Sequence, residues 1–324
     1  MTFTANAVPR NQGRGGHFGM AAQAEPGTYV PPTNYVRETG GSGFLPDVLE
    51  RQSQAFRGSV FEAPADYAGT DYQGRSVTVE ASIADLMLFM KLMFGTPDAG
   101  GIITPANDTQ WADYLPEPAF SGQWYVPGAG HVQITDGQLH ELQLTVPEAR
   151  TEFVTAQLSF HAIKAVHHPQ GAPVGGFTPA VPVIPGYTGG LGRLEHTVSI
   201  NNVLYVPDGT SMVRLYNPVE PLPANGEFIG GFAPSEQPVG AEFQLGFPKP
   251  IPAIVALGGA GKAFVPVSWK LQVSATKLIE ITAQCQVTAR EVPVSPGRVR
   301  TTATLRARQQ TVGTTPLTIT VKNT

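Results

Sequence analysis

Few residues in this chain have the type and spacing that chemistry requires. GGAGKA, residues 258–263, sets a lysine in a glycine-rich stretch. A phosphate loop would need its first glycine where Ala256 stands and a hydroxyl where Ala263 stands, so the magnesium ligand is missing. GRGGHFG, residues 13–19, puts Phe18 where the dinucleotide fingerprint wants glycine, and it neither follows a strand pattern nor opens a helical one. His167 and His168 are the one adjacent histidine pair. Neighbours on a strand point to opposite faces, so the pair reads as solvated linker residues rather than two ligands of one metal. His131, His140, His161 and His196 stand singly in strand-like contexts and read as surface or partly buried residues. Cys285, on the apolar side of the alternating stretch Ile281–Val287, reads as a small buried hydrophobe. The expectation is therefore no catalytic, cofactor-binding or metal-ligating residues, and no enzyme.

Composition limits the kind of frame that can hold these residues. The chain has 324 residues with 36 glycines and 30 prolines, a loop-rich content below that of disordered chains. Hydrophobic residues at 41% supply one large core or two ordinary ones. No stretch is apolar enough for a membrane helix, and the polar start lacks the middle of a secretory signal, so a soluble chain without an address is expected. One cysteine excludes an intrachain disulfide and a multi-cysteine zinc site, which fits an unoxidised assembly compartment. Charge is unevenly spread: residues 60–148 hold Arg75 and Lys91 against twelve acidic residues, while 290–324 hold five arginines and Lys322 against Glu291. An acidic middle and a basic end can meet across a subunit boundary, or they are solvated strand faces.

The order of patterns predicts mostly β structure. Residues 1–55, rich in glycine and proline, read as an extended N-terminal arm. Residues 56–165 read as a first β domain, with period-two strands at Phe56–Glu62, Arg75–Ala81, Val132–Thr135, Leu139–Val146 and Glu152–Ile163. Within it, SIADLMLFMKLMFG departs from the alternation. Ile83, Leu86, Met87, Met90 and Phe94 share a helical face, Ser82 and Asp85 make a start signal, and Gly95 with Pro97 makes a stop. A buried helix over 83–94 follows, either plugging an open end of a sandwich or offering a methionine-rich binding surface. Residues 166–193 read as a proline- and glycine-rich crossover. Residues 194–324 read as a second β domain, with strands at Leu194–Val206, Ser211–Tyr216, Glu227–Phe232, Gly240–Phe247, Ala263–Ala275, Lys277–Thr288, Arg298–Arg308 and Leu317–Val321. The fold class expected is tandem β-sandwich or partial-barrel domains with one short buried helix.

GRSVTVEASIADLMLFMKLMFG, set beside the terminal PLTITVKN, resembles the major tail tube proteins of long, flexible-tailed bacteriophages. Gly74–Glu80, Asp85–Phe94, Gly95 and Pro316–Asn323 carry the likeness, and LEHTVSINNVLYVPDGTSMVRLY (194–216) resembles the opening of a second domain in longer members. The chain departs in being longer than single-domain members and in lacking a second helix of equal clarity.

The resemblance implies a structural virion protein, assembled in the host cytoplasm, whose rings stack into a channel for genome ejection. It implies homotrimeric pseudo-hexameric or hexameric rings. The implied partners are tape measure and tail terminator proteins, with DNA sliding past a carboxylate-rich lumen and no membrane. Residues 1–50 and 96–130 would carry ring-to-ring contacts. The alternative from the residues themselves is a virion decoration or carbohydrate-binding β-sandwich, in which Trp111, Tyr114, Trp124 and Tyr125 stack on a sugar.

Overall fold

The computed structural model describes residues 16–23, 25, 27–33, 35–51, 66–105, 119–148, 152–171, 177–179, 191, 196–207, 210–224, 227–234, 239–247, 251, 254, 256, 263–291, 294–295, 298–299, 301–311 and 314–323. The first half holds β1 (His17–Ala22), β2 (Tyr35–Ser42), β3 (Asp47–Arg51), β4 (Asp66–Asp71), β5 (Arg75–Glu80), α1 (Ile83–Phe94), β6 (Ile102–Ile103), β7 (Phe120–Val126), β8 (Gly130–Val146) and β9 (Thr155–His168). The second half holds β10 (His196–Ile200), β11 (Val203–Tyr205), β12 (Ser211–Tyr216), β13 (Val219–Ala224), β14 (Glu227–Pro234), β15 (Gly240–Phe247), β16 (Val265–Ser274), β17 (Lys277–Glu291), β18 (Val294–Ser295), β19 (Arg298–Val299), β20 (Thr301–Ala307) and β21 (Leu317–Asn323). The protein is mostly β with one short helix, as its alternation requires.

Six strands close into an antiparallel barrel in the order β8-β7-β1-β2-β5-β9, with β9 returning to β8. Its inside is a packed aromatic core. The Phe160 ring lies 5.6 Å from Phe18, 5.5 Å from Phe120, 6.0 Å from Tyr72 and 6.4 Å from Trp124. Such edge and offset contacts add to the burial of large apolar area. Trp124 carries the one polar atom of this cluster that most needs a partner, and its Nε1 donates to Glu38 Oε2 at 2.7 Å. Burial raises the Glu38 carboxyl above its ordinary value, and the indole N–H opposes that shift.

The 17-residue strand β8 then leaves the barrel. Residues 130–137 pair with β7 and residues 141–146 pair with β12, while β9 runs along the other side throughout. From β12 the same sheet continues through β15, β20, β17 and β16 to β10 and β11. The long β17 repeats the device, pairing with β21 over 277–283 and with β20 over 285–291. The apolar residues Leu142, Leu144, Val213, Leu215, Phe243, Leu305, Ile279, Ile281 and Ile319 are all buried. Helix α1 packs against β8, β17 and β21. It is capped as its sequence predicts: Ser82 and Asp85 form a reciprocal box, and the Gly95 N–H closes the last turn on the Lys91 carbonyl at a φ of 97°. Ile83, Leu86, Phe89, Met90, Leu92 and Met93 are buried, so the methionines are core rather than a surface.

Several sequence expectations change. The segment expected as an arm, 1–55, contains β1, β2 and β3, and the first two are barrel staves. Gly19, Gly40 and Gly41 dilute the alternation that would have revealed them, and a Cβ at Gly41 would meet the Trp124 ring. Strand β7 lies in 96–130, which was expected to be loop. Strand β9 runs five residues past the expected end at Ile163, so His167 and His168 belong to a strand and not to a solvated linker. Within the single strand expected at Leu194–Val206, His196–Ile200 and Val203–Tyr205 form a hairpin, turned at Asn201-Asn202 with φ of 51° and 63°, as a two-residue turn of the favoured hand needs. The expected strand Phe56–Glu62 lies outside the described residues.

Asp136 marks the place where β8 changes partners. It is a buried non-glycine residue with a φ of 54°, a conformation aspartate tolerates better than most. Its carboxylate accepts from Gln23 Nε2 at 2.8 Å and from the Gly27 amide at 2.8 and 3.0 Å, and its own amide donates to Gln23 Oε1 at 2.8 Å. Replacing Asp136 by Ala strands those donors and strains the backbone, and is expected to cost about 2–3 kcal/mol in chemical denaturation, with Asp136→Asn losing clearly less.

Candidate functional site

The most extensive polar surface among the described residues is the outer face of the continuous sheet. One row of side chains runs in register across β5, β9, β8, β12, β15, β20 and β17: Thr78, Gln157, Gln143, Arg214, Glu242, Arg306 and Gln286. The row beside it carries Glu80, Thr155, Thr145, Met212, Gln244 and Thr304, and on the other side run Ser76, Ser159, Glu141 and Tyr216. Alternation places all of them opposite the apolar core, half-buried or exposed. The face is thus made of hydroxyls, amides and interleaved charges.

Its charges are paired on the spot. Arg214 donates to Glu141 at 2.5 Å and stands opposite Glu242, which in turn stands opposite Arg306. Arg306 Nε donates to the Tyr216 hydroxyl at 2.9 Å and its guanidinium lies over that ring. Glu242 also accepts from Gln244 Nε2 at 3.1 Å, so each charged side chain of the row has a polar neighbour, although exposed contacts like these add little stability. Further along, Ser268 donates to Glu280 at 2.6 Å, and Lys270 lies 3.9 Å from the same carboxylate. Four of the twelve acidic residues of 60–148 are likewise engaged locally. Asp85 caps α1, Asp98 accepts from the Gly100 and Ile102 amides at 2.8 Å, Asp136 holds Gln23 and Gly27, and Glu141 holds Arg214.

At the margin of this face, where β8 bulges between Leu139 and Glu141, the His140 and His161 rings stack at 4.3 Å. The Gly74 amide donates to His161 Nδ1 at 3.0 Å. His140 Nε2 is buried with no hydrogen-bond partner. Burial first, then His161 and Arg214, push its basicity down to about 3.

The residues singled out from sequence scatter. Cys285 is fully buried, and burial pushes its thiol far above the ordinary value, so it is no nucleophile. His196 lies buried beside Trp269 at 5.1 Å between ring centres. Trp124 is in the barrel core and Tyr125 packs between His17 and His131, so neither offers a free ring to a sugar. Trp111, Tyr114 and most of GGAGKA lie outside the described residues. Among the described residues, no group of three or more histidine, cysteine or acidic side chains is placed to hold a metal ion, and no helix is long and apolar enough to cross a membrane. The in-register polar rows were the feature missed from sequence. Their signal was present as alternating Thr, Gln and Ser in 141–145, 155–159 and 302–306, and only pairing joins those segments. The chain matches no protein-family model and no curated protein.

A neutral histidine held in the fold is a pH liability. Free imidazole titrates near 6.5 and His140 in the fold near 3, so its contribution is complete above pH 6.5 and is lost as pH falls toward 3. Denaturation midpoints measured from pH 7 to 4 are expected to fall, and His140→Gln to remove up to about 1.4 kcal/mol per pH unit of that slope.

Proposed function

We propose that the chain is a structural subunit that associates edge to edge into rings, which stack as a phage tail tube and conduct the genome. One observation supports this reading above the others: a continuous seven-strand polar face, backed by a closed core, belongs to a sheet that closes on itself at one end and stays open at the other. The open end is β11. Val203 is 51% exposed, and Leu204 and Val206 are each 67% exposed. Among the described residues no strand pairs with the outer side of β11, and a strand edge bearing apolar side chains is a template for another strand, which proteins otherwise cover or charge. Joining such edges around an axis would line a channel with the polar rows.

That lining suits a sliding polyanion. Phosphates bind where cations are free to exchange their counterions. Here Arg214 and Arg306 stand beside Glu141 and Glu242, so a passing strand would meet hydroxyls, amides and neutralised charge. Low grip, rather than the repulsion by carboxylates inferred from sequence, is the property this surface supports. In this reading the chain is no enzyme, needs no cofactor, resides in the virion, and has its own copies, the tape measure and tail terminator proteins as partners. Ring size, three chains or six, follows from how many copies close the edge.

Negative-stain electron microscopy with light scattering over a concentration series tests the proposal. Rings or hollow tubes are expected from the native chain. The double variant Leu204→Lys, Val206→Lys is expected to stay monomeric with an unchanged circular dichroism spectrum. Native protein that remains monodisperse and monomeric at every concentration overturns the reading.

A further inference from the structure

A second row of in-register side chains crosses the outside of the barrel where β1, β7, β8 and the end of β9 lie together. His17 stands opposite Tyr125, Tyr125 opposite His131, and His131 opposite His168. The rings follow one another at 4.7 Å from His17 to Tyr125 and 4.6 Å from Tyr125 to His131. His17 and His168 are buried, although they lie on the outer wall of the barrel. The cover comes from two connections. Phe177, in the crossover between the two halves, stacks on His168 at 4.1 Å and lies 6.4 Å from His131. Tyr29, in the connection from β1 to β2, meets Phe177 at 6.0 Å, and the neighbouring Val30 amide donates to Ser121 Oγ at 2.9 Å.

The row is built for neutral imidazole. An amide NH2 only donates, so the 3.2 Å contact of Gln123 Nε2 with His131 Nδ1 requires that nitrogen to be bare. A carbonyl oxygen only accepts, so His168 Nε2 donates to Gln133 Oε1 at 3.1 Å. Among the described residues, the charged groups around the row offer no compensation. Arg37 lies opposite His17 on β2, Lys164 lies further along β9, and Tyr35 contacts His17 edge-on. Residues 27–33 and 177–179 carry no ionisable side chain except Tyr29. His167 faces away and donates to the Ala129 carbonyl, Glu38 is held by Trp124 inside the barrel, and Asp136 is held by Gln23 and Gly27. A proton added to His131 therefore turns the Gln123 contact donor to donor and sets a cation among His17, His168 and Arg37.

We propose that this row is an acid-operated latch: protonation of His131 opens the aromatic cover and frees the crossover at Phe177 from the barrel wall while the sheets stay paired. Burial, with His17 and His168 adding to it, pushes His131 down to about 4, against 6.5 when solvated, so the latch is shut above pH 6.5 and opens progressively toward pH 4. The inference is independent of tube assembly, because it concerns contacts within one chain.

Hydrogen exchange followed by mass spectrometry, from pH 7.5 to 4.5 and corrected for the intrinsic rate, is the test. The segments 27–33 and 177–179 are expected to open about tenfold more per pH unit below 6.5, the slope of one linked proton. Peptides from β16 and β17 should keep their protection. His131→Gln, which retains an amide partner for Gln123, is expected to flatten the slope, and Phe177→Ala to give fast exchange in both segments already at pH 7.5. Unchanged protection of 27–33 and 177–179 down to pH 4.5 overturns the proposal, as does their loss in step with β16 and β17 or an equal slope in His131→Gln.

Discussion

One strand carries two architectures here, and the remainder of the fold is arranged around that constraint. Each backbone group of a strand can serve one neighbour on each side. Strand β8 gives one side wholly to β9 and divides the other between β7 and β12. The division needs a local break in twist, supplied by the positive φ of Asp136 and the bulge at His140. It also needs a second element to fill the space opened beneath the departing half. Helix α1 provides this, and Asn217, just after β12, ties the two together by donating from Nδ2 to the Met93 carbonyl at 2.7 Å and from its amide to the His140 carbonyl at 2.9 Å.

Charge follows the same logic of local use. Asp85, Asp98 and Asp136 each accept backbone amides that would otherwise lack a partner, and Glu141 meets an arginine from the next strand. What the sheet presents outward is consequently polar without being strongly charged. The two regions where titration matters, His140 with His161 and the row of His17, His131 and His168, both lie on the barrel's outer wall, where connections or bulges take imidazoles out of water.

How much of this could be read in advance depended on whether a feature was local. Helix α1 was legible to the residue because its cap, its apolar face and its stop all lie within residues 82–97. So were β12 and β15, while β5 was read one residue too long and β21 two residues too short. Strands β1 and β2 were hidden because their inward positions include Gly41 and Glu38, and a glycine that makes room for Trp124 looks like a loop glycine until Trp124 is in place. The end of β9 was hidden by His167 and His168, which are polar in composition yet alternate between the barrel interior and a covered wall. The polar rows and the histidine row could not be read at all: each is assembled from single residues on separate strands, and register is a property of pairing rather than of any one segment.

The shared strand also orders events in time. Once residues up to His168 have left the ribosome, all six barrel strands are available, while the second half is still being made. The barrel then displays residues 141–146 of β8 as a ready edge, and β12 can add to it without a nucleus of its own. From there the sheet does not grow in chain order. Strand β15 joins β12, but the next place beside it belongs to β20, and β17 pairs with both β20 and β21. Strand β16 adds instead to β10, and β17 to β16, so a second piece of sheet grows from the hairpin β10–β11 while β12 and β15 extend the barrel. The two pieces meet only when β20 is made and pairs with β15 on one side and β17 on the other, which makes that seam the last part of the sheet to close and leaves the facing edges of β15 and β17 exposed to chaperones and to neighbouring chains until then.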